Sequence, residues 1–378
     1  MKIVGLIAEY NPFHNGHAYH LAESLRASGA DYAVAVMSGD FVQRGLPAVI
    51  DKYTRARMAL ISGVDAVFEL PTVYSCASAE SFANGAVELL NRLGIDTISY
   101  GCECGPSEAK KLREIAELLI SEPEAFKTVL DEQLRAGKNY PAARAAAIDA
   151  VLPGCGAIAS EPNNILAIEY EKAILKQNAR IKTIAIARNG ASHSETGTAI
   201  RQALSAENYK DLIALLPKSS AELLTYHIDE DDFSDMLAYR LLTEDPENLT
   251  DYSDVSPELA ARIIKFKGAG LSFSQLADEL TTKNYTRTRV QRALLHILLG
   301  IKKETQAPTF ARVLGFKKDS PVLHELKERT QIPIVTKLAD APDESYQRDR
   351  IASDLYSCAA YPKGIKLPDE YHSKIVIV

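Results

Sequence analysis

The residues best suited to chemistry stand near the start of the chain, where Glu9-Tyr10-Asn11-Pro12-Phe13-His14-Asn15-Gly16-His17 follows the apolar run Ile3 to Ala8. His-x-Gly-His arises by chance only about 0.01 times in a chain of this composition. Glycine between the imidazoles lets backbone approach a ligand closely, and a helix starting near His17 would present unpaired N–H groups and a positive dipole end to an anion. His14 and His17 could then donate hydrogen bonds to α-phosphate oxygens and to a departing pyrophosphate. Such donors stabilise a transition state as its charge builds, each by about 3 kcal/mol. The plainer alternative is a polar turn whose histidines only cap a helix. Zinc is disfavoured because the pair lacks further ligands.

A second element is Thr196-Gly197-Thr198-Ala199-Ile200-Arg201. The Thr198 hydroxyl at a helix start and Arg201 one turn later could hold β- and γ-phosphates. Alone this is an ordinary helix cap; beside the histidine pair it gains weight. Cys102 and Cys104 lack a second cysteine pair and read as reduced thiols, so no metal site is expected. Gln43-Arg44-Gly45 and the helix bearing Lys52, Arg55 and Arg57 could meet RNA or phosphate, the latter group being equally well a solvated face. The segment around Lys283, Tyr285, Arg287, Arg289 and Arg292 suits RNA phosphates, with Tyr285 for stacking, or forms a charged outer helix face.

Positioning these residues requires a sheet. Apolar, β-branched runs at Lys2 to Ile7, Tyr32 to Met37, Ala66 to Leu70, Thr97 to Tyr100 and Lys182 to Ala187 read as buried strands. Helical patterns lie between them: His17 to Ser28, Lys52 to Ile61, Ser81 to Leu93, Glu108 to Ile120, Pro141 to Val151 and Asn164 to Lys176. The series predicts an α/β fold, a Rossmann-like doubly wound parallel sheet with its ligand at the carboxyl ends of the strands. A mostly helical C-terminal region and a small mixed tail should follow, giving expected units at 1–205, 206–305 and 306–378. The middle unit is charge-segregated: twelve acidic residues against Arg240 between Glu222 and Glu258, then nine basic against two acidic between Arg262 and Lys303. The net charge of −7 therefore argues against a uniformly basic surface without excluding a local RNA-binding face. Five cysteines in 378 residues fit a reducing compartment, and the absence of an export signal or a bilayer-length apolar run predicts a soluble cytoplasmic protein.

Several segments together carry a family resemblance. AEYNPFHNGHAYH (Ala8 to His20), MSGDFVQRGLPA (Met37 to Ala48), FELP (Phe68 to Pro71), PNNILAIEY (Pro162 to Tyr170), TAIR (Thr198 to Arg201), ARVLG (Ala311 to Gly315) and VTKL (Val335 to Leu338) resemble the bacterial tRNA(Met) cytidine acetate ligase family, within the HIGH-type nucleotidylyltransferases. The resemblance implies activation of acetate by ATP to acetyl-adenylate, and acetyl transfer to N4 of the wobble cytidine of elongator tRNA(Met). It implies an ATP site made of Ile7, Ala8, Glu9, Tyr10, Asn11, Pro12, Phe13, His14, Asn15, Gly16, His17, Ala18, Tyr19 and His20, with Gly101, Asn163 and Arg188. Mg2+ is expected to shield the triphosphate, and the tRNA partner favours RNA contact by the basic segment. Leu46 and Thr196-Gly197 depart from the family's usual pattern. His193 could touch the nucleotide or face solvent. The remaining alternatives are a small-molecule adenylyltransferase of the same superfamily and a non-catalytic tRNA-binding protein.

Overall fold

The computed structural model describes residues 1–105, 108–187, 199–200, 203–204, 209–303 and 307–378. In chain order they form β1 (Ile3–Ala8), α1 (Asn15–Ser28), β2 (Tyr32–Ser38), the antiparallel pair β3 (Phe41–Val42) and β4 (Leu46–Pro47), α2 (Lys52–Ile61), β5 (Ala66–Leu70), α3 (Thr72–Ser75), α4 (Ala79–Arg92) and β6 (Thr97–Cys102). Next come α5 (Ala109–Ser121), α6 (Glu124–Arg135), α7 (Tyr140–Val151), α8 (Cys155–Ile158), α9 (Pro162–Lys176) and β7 (Lys182–Ala187). The remainder holds α10 (Tyr209–Leu215), α11 (Lys218–Leu223), α12 (Ser234–Thr243), α13 (Pro257–Phe266), α14 (Phe273–Leu280), α15 (Arg287–Leu299), β8 (Ala311–Phe316), α16 (Val322–Arg329), β9 (Ile334–Val335), α17 (Gln347–Ala360) and β10 (Val376–Ile377).

The main sheet runs β10-β8-β5-β2-β1-β6-β7, with β9 attached to β8. Its five strands from β5 to β7 are parallel and are the five legible in the sequence. Alternation along them feeds two cores: Ile3, Val34, Val36 and Phe68 face the layer of α4, α5 and α9, while Val4, Leu6, Ala35 and Met37 face α1 and α2. Both faces are covered, which is why the strands read as unbroken apolar runs. β1 lies between β2 and β6, so the chain leaves its carboxyl end in one direction and that of β6 in the other. That divergence opens the crevice where α/β sheets bind ligands.

The tail contributes to this sheet. β8 pairs antiparallel with β5, and β10 pairs with β8. β8 is not legible as a strand because Arg312 interrupts its apolar run, and the rest of the expected mixed tail supplies only the two-residue strands β9 and β10. α12 to α15 and α17 pack in a third core around Phe41, Leu237, Ile263, Leu294 and Tyr356. Within this region the opposed charge blocks pair with each other, Arg287 with Glu230 (3.6 Å), Arg292 with Asp254 (2.8 Å) and Lys302 with Asp251 (3.2 Å), while Arg287 also meets Asp278 of its own block (2.7 Å). No helix among the described residues is long and apolar enough to cross a membrane.

Candidate active site

A cavity of about 560 Å3 opens where β1 and β6 end. The end of β1 and the turn after it supply Ile7 to Asn11, and the start of α1 supplies His14, His17 and His20. The turn is fixed from below. Arg55, fully buried on α2, donates to the carbonyl oxygens of Glu9 (2.7 Å), Ser38 (3.0 Å), Ile50 (3.0 Å) and Gly39. Gln43 N donates to Glu9 Oε1 (2.9 Å) and Val49 N to Asn11 Oδ1 (2.7 Å). Tyr10 adopts a left-handed backbone (φ 45°), and its phenol is buried, which pushes its pKa up and keeps it neutral. The sequence left Arg55 and Lys52 as surface candidates for RNA or phosphate; both are buried instead, because their charges are spent on strand-end carbonyls and on carboxylates inside the fold.

His14 is the N-cap of α1, and the two imidazoles form a reciprocal capping box. Gly16 N donates to His14 Nδ1 (3.1 Å), and His14 N donates to His17 Nδ1 (3.2 Å). The rings stack with centroids 3.6 Å apart and planes 19° from parallel. A ring accepting at Nδ1 carries its proton on Nε2. Capping and chemistry are therefore not alternatives: the cap sets the tautomer and the orientation of two neighbouring Nε2–H donors at the positive end of a helix.

The opposite wall begins at Gly101, where an added Cβ would meet no atom within 4 Å, so bare backbone faces the cavity. Asn163 sits in the first turn of α9 and is buckled to the end of β6: its Nδ2 and N donate to Glu103 Oε1 (2.6 Å) and Oε2 (3.2 Å). Glu103 N in turn donates to Asn164 Oδ1 (2.9 Å). Phe82, Ile165, Leu166 and Tyr170 give an apolar stretch of wall, and Tyr100 is oriented by its hydroxyl, which donates to Glu171 (2.7 Å). Cys102 and Cys104 are unpaired, burial pushes both thiols up, and the described residues contain no cluster suited to a metal ion.

Of the expected ATP residues, the cavity gathers Ile7, Ala8, Glu9, Tyr10, Asn11, His14, His17, His20, Gly101 and Asn163. Pro12, Phe13, Asn15, Gly16, Ala18 and Tyr19 do not line it, and Phe13 is fully buried in the core. Arg188, His193, Thr196, Gly197, Thr198 and Arg201 lie outside the described residues. The basic segment reaches the cavity through Thr288, in the first turn of α15, beside exposed Arg44. Its members differ from expectation. Tyr285 is only 5 % exposed, with its hydroxyl on Ser256 (2.6 Å) and Glu258 (3.0 Å) and Arg289 over its ring, so it offers no face to a base. Arg287 and Arg292 are neutralised by the acidic partners described above, and exposed Lys283 donates to Gly137 O (3.2 Å). Phe82 and Leu166 line the cavity without being named from the sequence, because apolar residues on regular elements carry no chemical signature until the fold turns them toward one space.

Comparison with known proteins places this geometry. A family model described as HIGH Nucleotidyl Transferase matches residues 1–367. The tRNA(Met) cytidine acetate ligase of Acetivibrio thermocellus is 37% identical over 417 residues, spanning 100% of both chains. That of Caldanaerobacter subterraneus subsp. tengcongensis is 38% identical, covering 98% of this chain and 99% of the relative. The crystal structure of Thermotoga maritima TmcAL bound with alpha-thio ATP superposes with a TM-score of 0.91 at 28% identity, covering 100% of this chain and 99% of that one.

Proposed function

The chain belongs to the HIGH nucleotidyl transferase family and, within it, to the tRNA(Met) cytidine acetate ligases, and from that premise we propose how its geometry performs the reaction. ATP occupies the crevice at the ends of β1 and β6, with the adenine against Gly101, Asn163 and the apolar stretch around Leu166, and the α-phosphate at the start of α1. An acetate oxygen attacks the α-phosphorus in line; the bond to the bridging oxygen breaks, and pyrophosphate leaves. His14 and His17 donate through Nε2–H to the oxygens that gain charge. The product, acetyl-adenylate, is then attacked at its carbonyl carbon by N4 of the wobble cytidine. AMP departs, N4 loses a proton, and N4-acetylcytidine results.

Arg188, Thr198 and Arg201 are assigned to the phosphates as always-charged or hydroxyl donors. Mg2+ carried on the triphosphate would shield its charge, since no side-chain cluster among the described residues is suited to hold the ion. Residues 1–205 form the adenylylating unit, 206–305 present elongator tRNA(Met) and 306–378 brace the sheet. Arg44 and Arg289 are the cations at the RNA side of the cavity, and the reaction takes place in the cytoplasm.

The observation that carries the reading is the pair of stacked, Nδ1-capped imidazoles at the mouth of a nucleotide-sized cavity. Acetate-dependent ATP/pyrophosphate exchange tests it. Labelled pyrophosphate should enter ATP with acetate present and without tRNA. Exchange driven instead by a nicotinate or pantetheine phosphate, or no exchange at all, would contradict it.

A further inference from the structure

A second, smaller cavity of about 150 Å3 lies at the carboxyl end of β5, lined among others by Glu69, Tyr74, Phe310, Arg312, Ser345 and Asp349. Arg312 is 5 % exposed. Its Nη2 reaches Tyr53 Oη (3.3 Å) and Glu370 Oε1 (3.4 Å), but Nε and Nη1 have no hydrogen-bond partner among the described residues. Buried donors left in this state are rare and point to a missing acceptor. On the same walls Glu69 is held by Lys52 Nζ (2.7 Å), and Asp349 Oδ1 accepts from Thr72 N (2.6 Å).

This mixture restricts the ligand. A free anion would meet two carboxyl groups, and a cation would meet the guanidinium. A neutral ligand with acceptors and donors on one edge satisfies both, and flat apolar faces would suit the Tyr74 and Phe310 rings and the prolines Pro71 and Pro308. The volume suits a single ring system and not a whole nucleotide, since a cavity of about this size accommodates one benzene.

The cavity is also close to the first. Tyr74 packs directly on Gly85 of α4, while Phe82, one turn earlier on the same helix, lines the larger cavity. Gln43, at that larger cavity, donates through Nε2 to Ala77 O (3.2 Å), in the segment joining α3 to α4. α4 and the segment before it therefore link the walls of the two spaces.

We propose that the smaller cavity takes an unstacked nucleobase of the tRNA other than the one acetylated, with Arg312 donating to its acceptors and the Glu69 and Asp349 carboxyls accepting from its amino or imino groups. The inference rests on the reading that this chain acts on tRNA. A base held there would anchor the RNA while the reacting cytidine enters the larger cavity. It gives the enzyme a readout of sequence that phosphate contacts cannot supply.

Ser345→Trp tests this, because Ser345 is exposed at the rim and its replacement obstructs the cavity while leaving every residue of the buried ion pairs in place. Acetate-dependent ATP/pyrophosphate exchange without tRNA should stay within about twofold of wild type, while the KM for tRNA in acetylation rises about tenfold or more at nearly unchanged kcat. Arg312→Met, if it folds, should give the same split. A wild type that exchanges and acetylates beside a Ser345→Trp variant of unchanged tRNA KM would overturn the base pocket alone. A wild type that does neither would overturn the ligase reading, and the pocket's partner with it.

Discussion

The proposed mechanism gives His17 two separable duties, and two substitutions pull them apart. Its Nδ1 accepts the N–H of His14 and completes the cap of α1, while Nε2 is the atom proposed to serve the phosphates in the cavity that His17 lines. Asparagine places a polar atom near the δ position and none at ε; glutamine does the reverse. Losing the cap should cost about 1 kcal/mol, which in a chain of this size lowers the unfolding midpoint by about 2 °C or less. Losing the Nε2 donor should remove about 3 kcal/mol from the adenylylation transition state, or about 10² in rate. His17→Asn is therefore expected to melt close to wild type while acetate-dependent exchange falls about a hundredfold. His17→Gln should keep more of the activity and lose the degree or two of stability. His17→Ala should show both losses. The assays are thermal unfolding and exchange on the same preparations. An asparagine variant with wild-type exchange would refute the assignment of Nε2 as the acting atom, and identical behaviour of the two variants would refute the division of labour.

Further outcomes follow from the buried charges and the glycines. Lys52 Nζ and Arg312 serve a cluster that includes Glu69, Glu370, Asp40 and Asp349, so carboxyls outnumber cations. Desolvation outweighs Lys52 at Glu69 and holds its carboxyl above the usual range; Asp40 and Asp349 are raised for the same reason. A raised acid contributes stability at low pH that is lost as pH climbs from the ordinary carboxylate range through the raised value, so Glu69→Gln should flatten the decline of the unfolding midpoint between about pH 5 and about pH 8. Gly101→Ala should leave stability within about 0.5 kcal/mol and raise the KM for ATP, because the new methyl enters open space. Gly45→Ala should instead destabilise by about 2 kcal/mol or more, since its Cβ would clash with the backbone of Arg292 at a φ of 74°. Arg44→Ala and Arg289→Ala should each reduce the slope of log Kd for tRNA against log salt by about one, whereas Arg292→Ala should show mainly as lost stability, its charge being held by Asp254.

The parallel sheet was legible because strands covered on both faces leave unbroken apolar runs, and the turn after β1 because histidine and glycine are rare enough to stand out. What escaped has a common physical origin. Pattern reading sends charge to the surface, yet Arg55 is fully buried because four backbone carbonyls at the strand ends need a donor, and Lys52 because carboxylates meet it there. The same habit hid β8, whose second residue is Arg312. Tyr285 misled in the opposite sense: an aromatic among arginines suggested stacking on a base, but its ring is buried in the helical core and serves as a seat for Arg289. The apolar part of the cavity wall could not be read at all, since Phe82 and Leu166 resemble any core residue of an amphipathic helix. Local pattern finds the groups that do chemistry; long-range contacts decide which charges are structural.

In the proposed mechanism acetate reaches cytidine through an adenylate formed at the imidazole pair. Incubation with labelled acetate, ATP and tRNA, followed by digestion to nucleosides, tests it most directly. Label should appear in N4-acetylcytidine only when ATP is present, with AMP and pyrophosphate released in equal amounts. Label that appears without ATP, or its absence when ATP, acetate and elongator tRNA(Met) are all supplied, would contradict it.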